Sequence, residues 1–286
     1  MRAGRNGMIR RIHAVYFSAG GNTAGTVMKT AASIGNRFGL RVQTDDFTRL
    51  RDHSRERAYG PEDLVIFGVP TYAGRVPNKM LPCIRQLFHG DRTQAVALVT
   101  FGNRSFDSSL AELTEELTGN GFHVIAAAAV VCPHSFANIG GGRPDREDRK
   151  ILKQFAADVV AKIRACEGIR PEDDRLPEAV SLGDYGKVGP YYVPMGMDGQ
   201  PAVFLKAKPK TDSRKCSRCG ICAEGCPMGS ISFENPAQVS GICIKCQACV
   251  KGCPQKAKYF DDPAFLSHKQ KLETDYRRRA ELKVFL

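Results

Sequence analysis

The chain has 286 residues, a formal net charge of +12 and 42% hydrophobic residues, enough to bury a sizeable core in one or two domains. No apolar run approaches the roughly 18 residues of a membrane-spanning helix, so a soluble protein without a membrane span is expected. Eleven cysteines without an export signal point to a reducing compartment, most simply the cytoplasm, and argue against a small secreted disulfide scaffold.

Residues 1–166 alternate strand and helix in the manner of an open parallel sheet. Strands are expected at Ile12–Phe17, Leu40–Thr44, Leu64–Val69, Ala95–Phe101 and Phe122–Val131. Helices are expected at Thr23–Phe38, Asn78–Phe88, Ser108–Thr118 and from about Pro144 to Ala165. Leu64–Val69 is nearly all apolar, as a central strand covered on both faces must be. The expected fold class is therefore α/β, one doubly wound domain with a five-stranded parallel sheet, followed by a small α+β domain.

Residues 167–210 change character, with six prolines between Pro171 and Pro209, and read as an interdomain linker holding at most a short hairpin around Met197–Gly199. Tyr185, Tyr191 and Tyr192 either pack over a cofactor edge or fill the domain junction. Residues 211–262 form a second domain, and residues 263–286 a basic C-terminal helix carrying Arg277-Arg278-Arg279.

That second domain holds the strongest motif. Cys216, Cys219, Cys222 and Cys226-Pro227 are followed by Cys243, Cys246, Cys249 and Cys253-Pro254, two copies of one spacing. The spacing is that of bacterial two-cluster ferredoxins, in which the fourth cysteine of each run serves the other [4Fe–4S] cluster. By that rule Cys216, Cys219, Cys222 and Cys253 hold one cluster, and Cys243, Cys246, Cys249 and Cys226 the other. Paired zinc sites are the weaker alternative, because zinc fingers separate two C-x2-C pairs rather than running three cysteines at three-residue intervals. Cys83, Cys132 and Cys166 have no partner spacing and read as buried small hydrophobes, with Cys132-Pro133-His134 placed after a strand and near a possible site.

Residues 1–166 carry a net +8, residues 167–210 a net −1 and residues 211–286 a net +5. Such a surface steers toward nucleic acid, an anionic cofactor or an acidic protein. No nucleic-acid motif is present, which favours the latter two.

Ser18-Ala19-Gly20-Gly21-Asn22-Thr23 joins the first strand to the first helix. Small residues let backbone N–H groups close around an anion, and the helix adds its positive end. Neither G-x-G-x-x-G nor a Gly-Lys-Ser/Thr phosphate loop occurs. With the preceding Tyr16-Phe17, the loop resembles the phosphate loop of flavodoxins, which bind FMN. Pro70-Thr71-Tyr72-Ala73-Gly74-Arg75 and Thr100-Phe101-Gly102-Asn103-Arg104-Ser105-Phe106 match the positions of the two flavodoxin loops that flank the flavin ring. The whole chain resembles the flavodoxin–ferredoxin fusion proteins of anaerobic bacteria and archaea, including its Gly142-Arg143-Pro144-Asp145 and Tyr276–Arg279 segments.

The resemblance implies a strand order of 2-1-3-4-5, one FMN and two [4Fe–4S] clusters. Tyr72 and Phe106 are the expected ring-stacking residues, backbone groups near Tyr72–Ala73 and Gly102–Asn103 the expected ring contacts, and Gly74 or Gly102 the sites of a peptide flip. Arg75 and Arg104 are expected to favour a dianionic phosphate. One departure stands out: flavodoxins commonly carry a hydroxyl residue where this chain has Gly20. The implied role is an electron carrier between redox proteins with acidic docking surfaces, linking one- and two-electron steps. The alternative is a flavin-dependent reductase of a quinone, enone or nitro compound, with His134 or Tyr72 as proton donor. A redox-sensing regulator lacks a DNA-binding motif.

Overall fold

The computed structural model describes residues 9–166 and 176–286. The first part of the expected linker, residues 167–175, lies outside the described residues, as do residues 1–8. Strands β1 (Arg11–Tyr16), β2 (Val42–Asp46), β3 (Arg57–Tyr59), β4 (Asp63–Pro70), β5 (Phe88–Gly90), β6 (Thr93–Phe101) and β7 (Phe122–Val131) fill the N-terminal part with helices α1 (Asn22–Phe38), α2 (Leu81–Leu87), α3 (Ser109–Gly119) and α4 (Arg146–Arg164). Beyond them come β8 (Lys210–Thr211), α5 (Ile221–Glu224), α6 (Ala248–Lys251), β9 (Lys258–Tyr259), α7 (Pro263–Asp275) and β10 (Lys283–Phe285).

The main sheet has the order β10-β7-β6-β4-β1-β2. Strands β2, β1, β4, β6 and β7 are all parallel, which is the doubly wound flavodoxin-like order. Because helices cover both faces, alternate residues of one strand enter two different cores. Val65, Phe67 and Val69 pack with Phe17, Phe47, Phe88 and Leu113 on the α3 side. Leu64 and Ile66 pack with Val27, Ala31, Ile34, Phe155 and Val159 beneath α1 and α4. The run Ala126–Ala129 keeps β7 buried on both faces with the smallest apolar side chain.

Two sequence expectations need correction. The expected second strand starts too early, because Gly39 (φ 69°) ends α1 in a left-handed cap and the Leu40 N–H returns to the Gly35 carbonyl at 3.0 Å. Residues from Val42 onward then pair with β1. The tail is not one helix to residue 286, whereas the five parallel strands stand in the expected 2-1-3-4-5 order. Asp262 caps α7 by accepting from the Phe265 N–H, and α7 ends at Asp275. The chain then returns to the first domain, where β10 pairs antiparallel with Ala127–Ala129 and forms a sixth strand. It covers the edge that β7 would otherwise expose.

Asn103 fixes that return: its Nδ2 donates to the Tyr276 carbonyl at 2.8 Å and the Arg278 carbonyl at 2.7 Å, and its Oδ1 accepts from the Ala280 N–H at 3.2 Å. The buried Arg143 guanidinium donates to Asp148 at 2.7 Å and to the Ala280 carbonyl at 3.0 Å. Arg279 pairs with Asp145.

Described linker residues lie against the first domain. The Val180 N–H donates to the Val124 carbonyl, and the Tyr192 N–H to that of Ala73, both at 2.9 Å. A tight reversal does occur where a hairpin was expected, with the Gly196 N–H on the Gln200 carbonyl at 2.8 Å. Among the described residues no helix is long and apolar enough to cross a membrane.

The cysteine repeat is also a backbone repeat. Positive φ angles recur at Arg218 and Lys245 (54° and 55°), at Gly220 and Gln247 (75° and 65°), and at Gly229 and Lys256 (57° and 51°), at matching offsets in the two runs. Each offset places a tight turn beside a cysteine, so α5 and α6 begin in the same way.

Candidate functional site

The loops after β1, β4, β6 and β7 sit at the carboxyl ends of the strands, where open α/β sheets bind ligands. They surround a cavity of about 240 Å³. Ser18, Ala19, Gly20, Asn22 and Thr23 line it from the first loop, and Pro70, Thr71, Tyr72, Ala73 and Gly74 from the second. Thr100, Phe101, Gly102 and Arg104 line it from the third.

The first loop is built for an anion. The first N–H groups of α1 lack intrahelical partners, and Gly21 (φ 83°) turns the chain into the helix. A Cβ at Gly20 or Gly21 would meet nothing within 4 Å. The Ser18 hydroxyl accepts from the Ala24 N–H at 2.9 Å, which leaves its own proton free to donate. Thr23 Oγ1 lies 2.7 Å from Thr100 Oγ1, so one hydrogen of that pair is committed internally. The open cradle, the helix end and the donor set fit a phosphate group.

Several expected cofactor contacts are placed elsewhere. Phe106 does not line the cavity; it is buried between Phe101 and Tyr185, with ring centroids at 5.5 Å and 5.2 Å. Asn103 spends its side chain on the tail. Arg75 is turned away, its Nε on Glu112 at 2.9 Å and its Nη1 on the Gly189 carbonyl at 2.7 Å. Arg104 does line the cavity, but its guanidinium pairs with Asp107 and lies 3.8 Å from the Tyr192 ring centroid. Of the three linker tyrosines, Tyr192 lines the cavity, Tyr185 packs on Phe106, and Tyr191 lies exposed with the Arg75 guanidinium over its ring.

The cysteine-rich module closes this cavity, a contact that no motif in the sequence announces. Ile244, Lys245, Cys246 and Lys251 line it, with His268 and Leu272 from α7 and Phe204 from the linker. Cys246 lies in the second cysteine run, so that run reaches the cavity wall. Burial, reinforced by Cys246 and Cys243 nearby, pushes the Tyr72 hydroxyl well above its ordinary pKa.

The eight cysteines divide into two groups. Cys216, Cys219, Cys222 and Cys253 surround one void, and Cys226, Cys243, Cys246 and Cys249 another. Each run thus sends its fourth cysteine across to the other group. The Ser230 N–H faces Cys226 Sγ at 3.4 Å and the Ala257 N–H faces Cys253 Sγ at 3.2 Å, the same contact in both repeats. Burial pushes the Cys246 and Cys249 thiols up to about 12, and a cation held beside them would favour the thiolate. A four-thiol shell around a void with backbone N–H groups on its sulfurs fits an iron–sulfur cluster.

His134 also lines the cavity. Its Nδ1 accepts from the Ala137 N–H at 3.0 Å and the Phe136 N–H at 3.3 Å. Burial holds its pKa down to about 3, so the ring is neutral. Its neighbour Cys132 is buried beside Thr26, as expected of a small hydrophobe.

Residues 209–232 match the family model of the 4Fe-4S binding domain. No curated protein matches the chain. Among solved structures, a flavodoxin from the domain Archaea is 16% identical, covering 54% of this chain and 99% of its own, with a TM-score of 0.36. The Streptococcus pneumonia TIGR4 flavodoxin is 19% identical over 53% of this chain and 98% of its own, with a TM-score of 0.38. Oxidised flavodoxin 2 from Bacillus cereus is 15% identical over 53% and 99%, with a TM-score of 0.39. The flavodoxin-like assignment rests on the strand order itself. The chain thus joins a flavodoxin-like doubly wound fold to a C-terminal segment that matches the 4Fe-4S binding domain.

Proposed function

We propose that this chain is an intramolecular electron carrier that holds FMN in the cavity at the strand ends and one [4Fe–4S] cluster in each cysteine group. Ser18–Thr23 would hold the phosphate, with Tyr72 and the Thr100–Gly102 backbone beside the ring. Bound there, FMN supplies a centre that takes one or two electrons, where each cluster takes one. The observation that carries the reading is a shared wall: Ile244 and Cys246 line both the second cysteine void and the flavin cavity. Electrons would enter through the group containing the exposed Cys219, pass to the group containing Cys226, and leave or arrive at the flavin.

The proposed partner is an acidic redox protein in a reducing, cytoplasmic setting. Exposed Ile221 and Phe233 offer an apolar contact near Cys219, and exposed Arg214, Lys215, Arg218 and Lys256 give the same cysteine-rich module basic surface groups. Direct reduction of a small organic acceptor has less support, because neutral His134 keeps its single ring proton near neutral pH and the Tyr72 hydroxyl holds its proton firmly.

Anaerobic stopped-flow reduction tests the carrier role. With the clusters reduced by a donor, flavin bleaching should proceed at a rate independent of protein concentration. A rate that scales with protein concentration would mean transfer between molecules and would sink the proposal.

A further inference from the structure

We infer that His134 is a permanently neutral hydrogen-bond donor, held with its Nε2–H toward an acceptor on the bound flavin that gains negative charge on reduction. This rests on the flavin reading above. The ring stands at the carboxyl end of β7 and is fixed on several sides. Its backbone N–H donates to the Ile139 carbonyl at 3.0 Å, and Phe136 packs edge-on at 4.5 Å and 88°. Gly102 meets the Cδ2 edge so closely that a Cβ there would lie 2.2 Å away. The absence of a side chain at residue 102 is therefore explained by the histidine ring, and its backbone needs no left-handed conformation.

The tautomer follows from the hydrogen bonds. An Nδ1 that accepts from two backbone N–H groups cannot carry a proton, so in the neutral ring the proton sits on Nε2. Protonating Nδ1 would set its N–H against both donors. The surrounding charges act the same way: after burial, His268, Lys251 and Arg104 all disfavour a cationic ring, with Glu273 alone opposing them. Nε2 has no hydrogen-bond partner among the described residues. It belongs to a ring lining the cavity, and no Asp or Glu lines that cavity to compete for the N–H.

A neutral imidazole of this kind polarises an acceptor oxygen without giving up its proton. Reduction raises the electron density on the flavin's carbonyl edge, so this hydrogen bond would favour the reduced flavin over the oxidised one. Because the donor does not ionise, its contribution is constant across the neutral pH range.

The test is an anaerobic potentiometric titration of the full-length holoprotein, with flavin and clusters followed separately, for wild type, His134→Gln and His134→Phe. His134→Phe should lower the ratio of reduced to oxidised flavin affinity about tenfold, read as a fall of about 30 mV in the two-electron flavin potential. His134→Gln, whose amide can donate from the Nε2 position, should recover most of it. Unshifted flavin potentials, equal shifts in both variants, or a shift confined to the clusters would each overturn the role. Nitrogen spectra of 15N-histidine-labelled wild-type protein give a second readout that needs no variant. A non-titrating ring protonated at Nε2 from pH 5.5 to 8 is expected, and an Nδ1–H tautomer or a titrating ring overturns it. Failure to take up any flavin overturns the functional reading itself, whereas a loaded protein with an unshifted potential overturns only the part assigned to His134.

Discussion

Replacing Gly20 by threonine should tighten FMN binding. The site accepts the change: a Cβ there meets nothing within 4 Å, and the backbone is not in the left-handed region that would strain a side chain. Removing a glycine also lowers the entropy of the unfolded chain, so stability should hold or rise slightly. The gain comes from one hydroxyl directed at the phosphate, worth about 1–2 kcal/mol after water is displaced. That corresponds to roughly 5- to 30-fold in Kd. Fluorescence quenching, with FMN titrated into flavin-stripped protein whose clusters are intact, reads the change. Riboflavin, which lacks the phosphate, is the control and should bind equally to both proteins. An unchanged FMN affinity, or an equal gain for riboflavin, would refute the placement of the phosphate at Ser18–Thr23.

Cys226→Ala should remove the cluster beside the flavin, leave about four irons per chain and abolish cluster-to-flavin transfer; Cys219→Ala should instead disturb the outer group, and iron analysis with rapid kinetics separates the two. Asn103→Ala removes three hydrogen bonds to the returning tail. It should cost about 2 kcal/mol in urea unfolding and raise amide exchange in Lys283–Phe285. Stability should also fall as pH drops below about 6.5. His53, His134 and His268 all have folded pKa values lowered, chiefly by burial, so the unfolded chain binds protons that the folded chain refuses. Each contributes up to about 1.4 kcal/mol per pH unit, lost progressively on acidification. His53→Gln should flatten the slope measured by urea unfolding between pH 7 and 5.5.

Most of the first domain was legible because strands covered on both faces must be almost wholly apolar, as β4, β6 and β7 are. The first loop was legible because its small residues stand between a strand and a helix. Residues whose role depends on distant chain were not legible. Asn103 sits inside a loop that reads as a flavin contact, yet its partners lie more than 170 positions away. Phe106 has the composition of a stacking residue, but Tyr185 and Phe101 claim its faces. The tail reads as helix because its charges and Leu272 suit one, while the strand at Lys283–Phe285 is set by the free edge of β7. The cysteine spacing announced two groups, but not that Cys246 would stand at the wall of the other domain's cavity. His134 carried only a weak hint, its position after a strand, and its role depends on N–H groups two and three residues ahead.

The central claim, two clusters and one flavin held in a single chain, is tested most directly by metal, sulfide and flavin analysis of anaerobically purified protein. About eight irons and one FMN per chain are expected. Zinc in place of iron, iron for a single cluster, or no flavin after gentle reconstitution would contradict it.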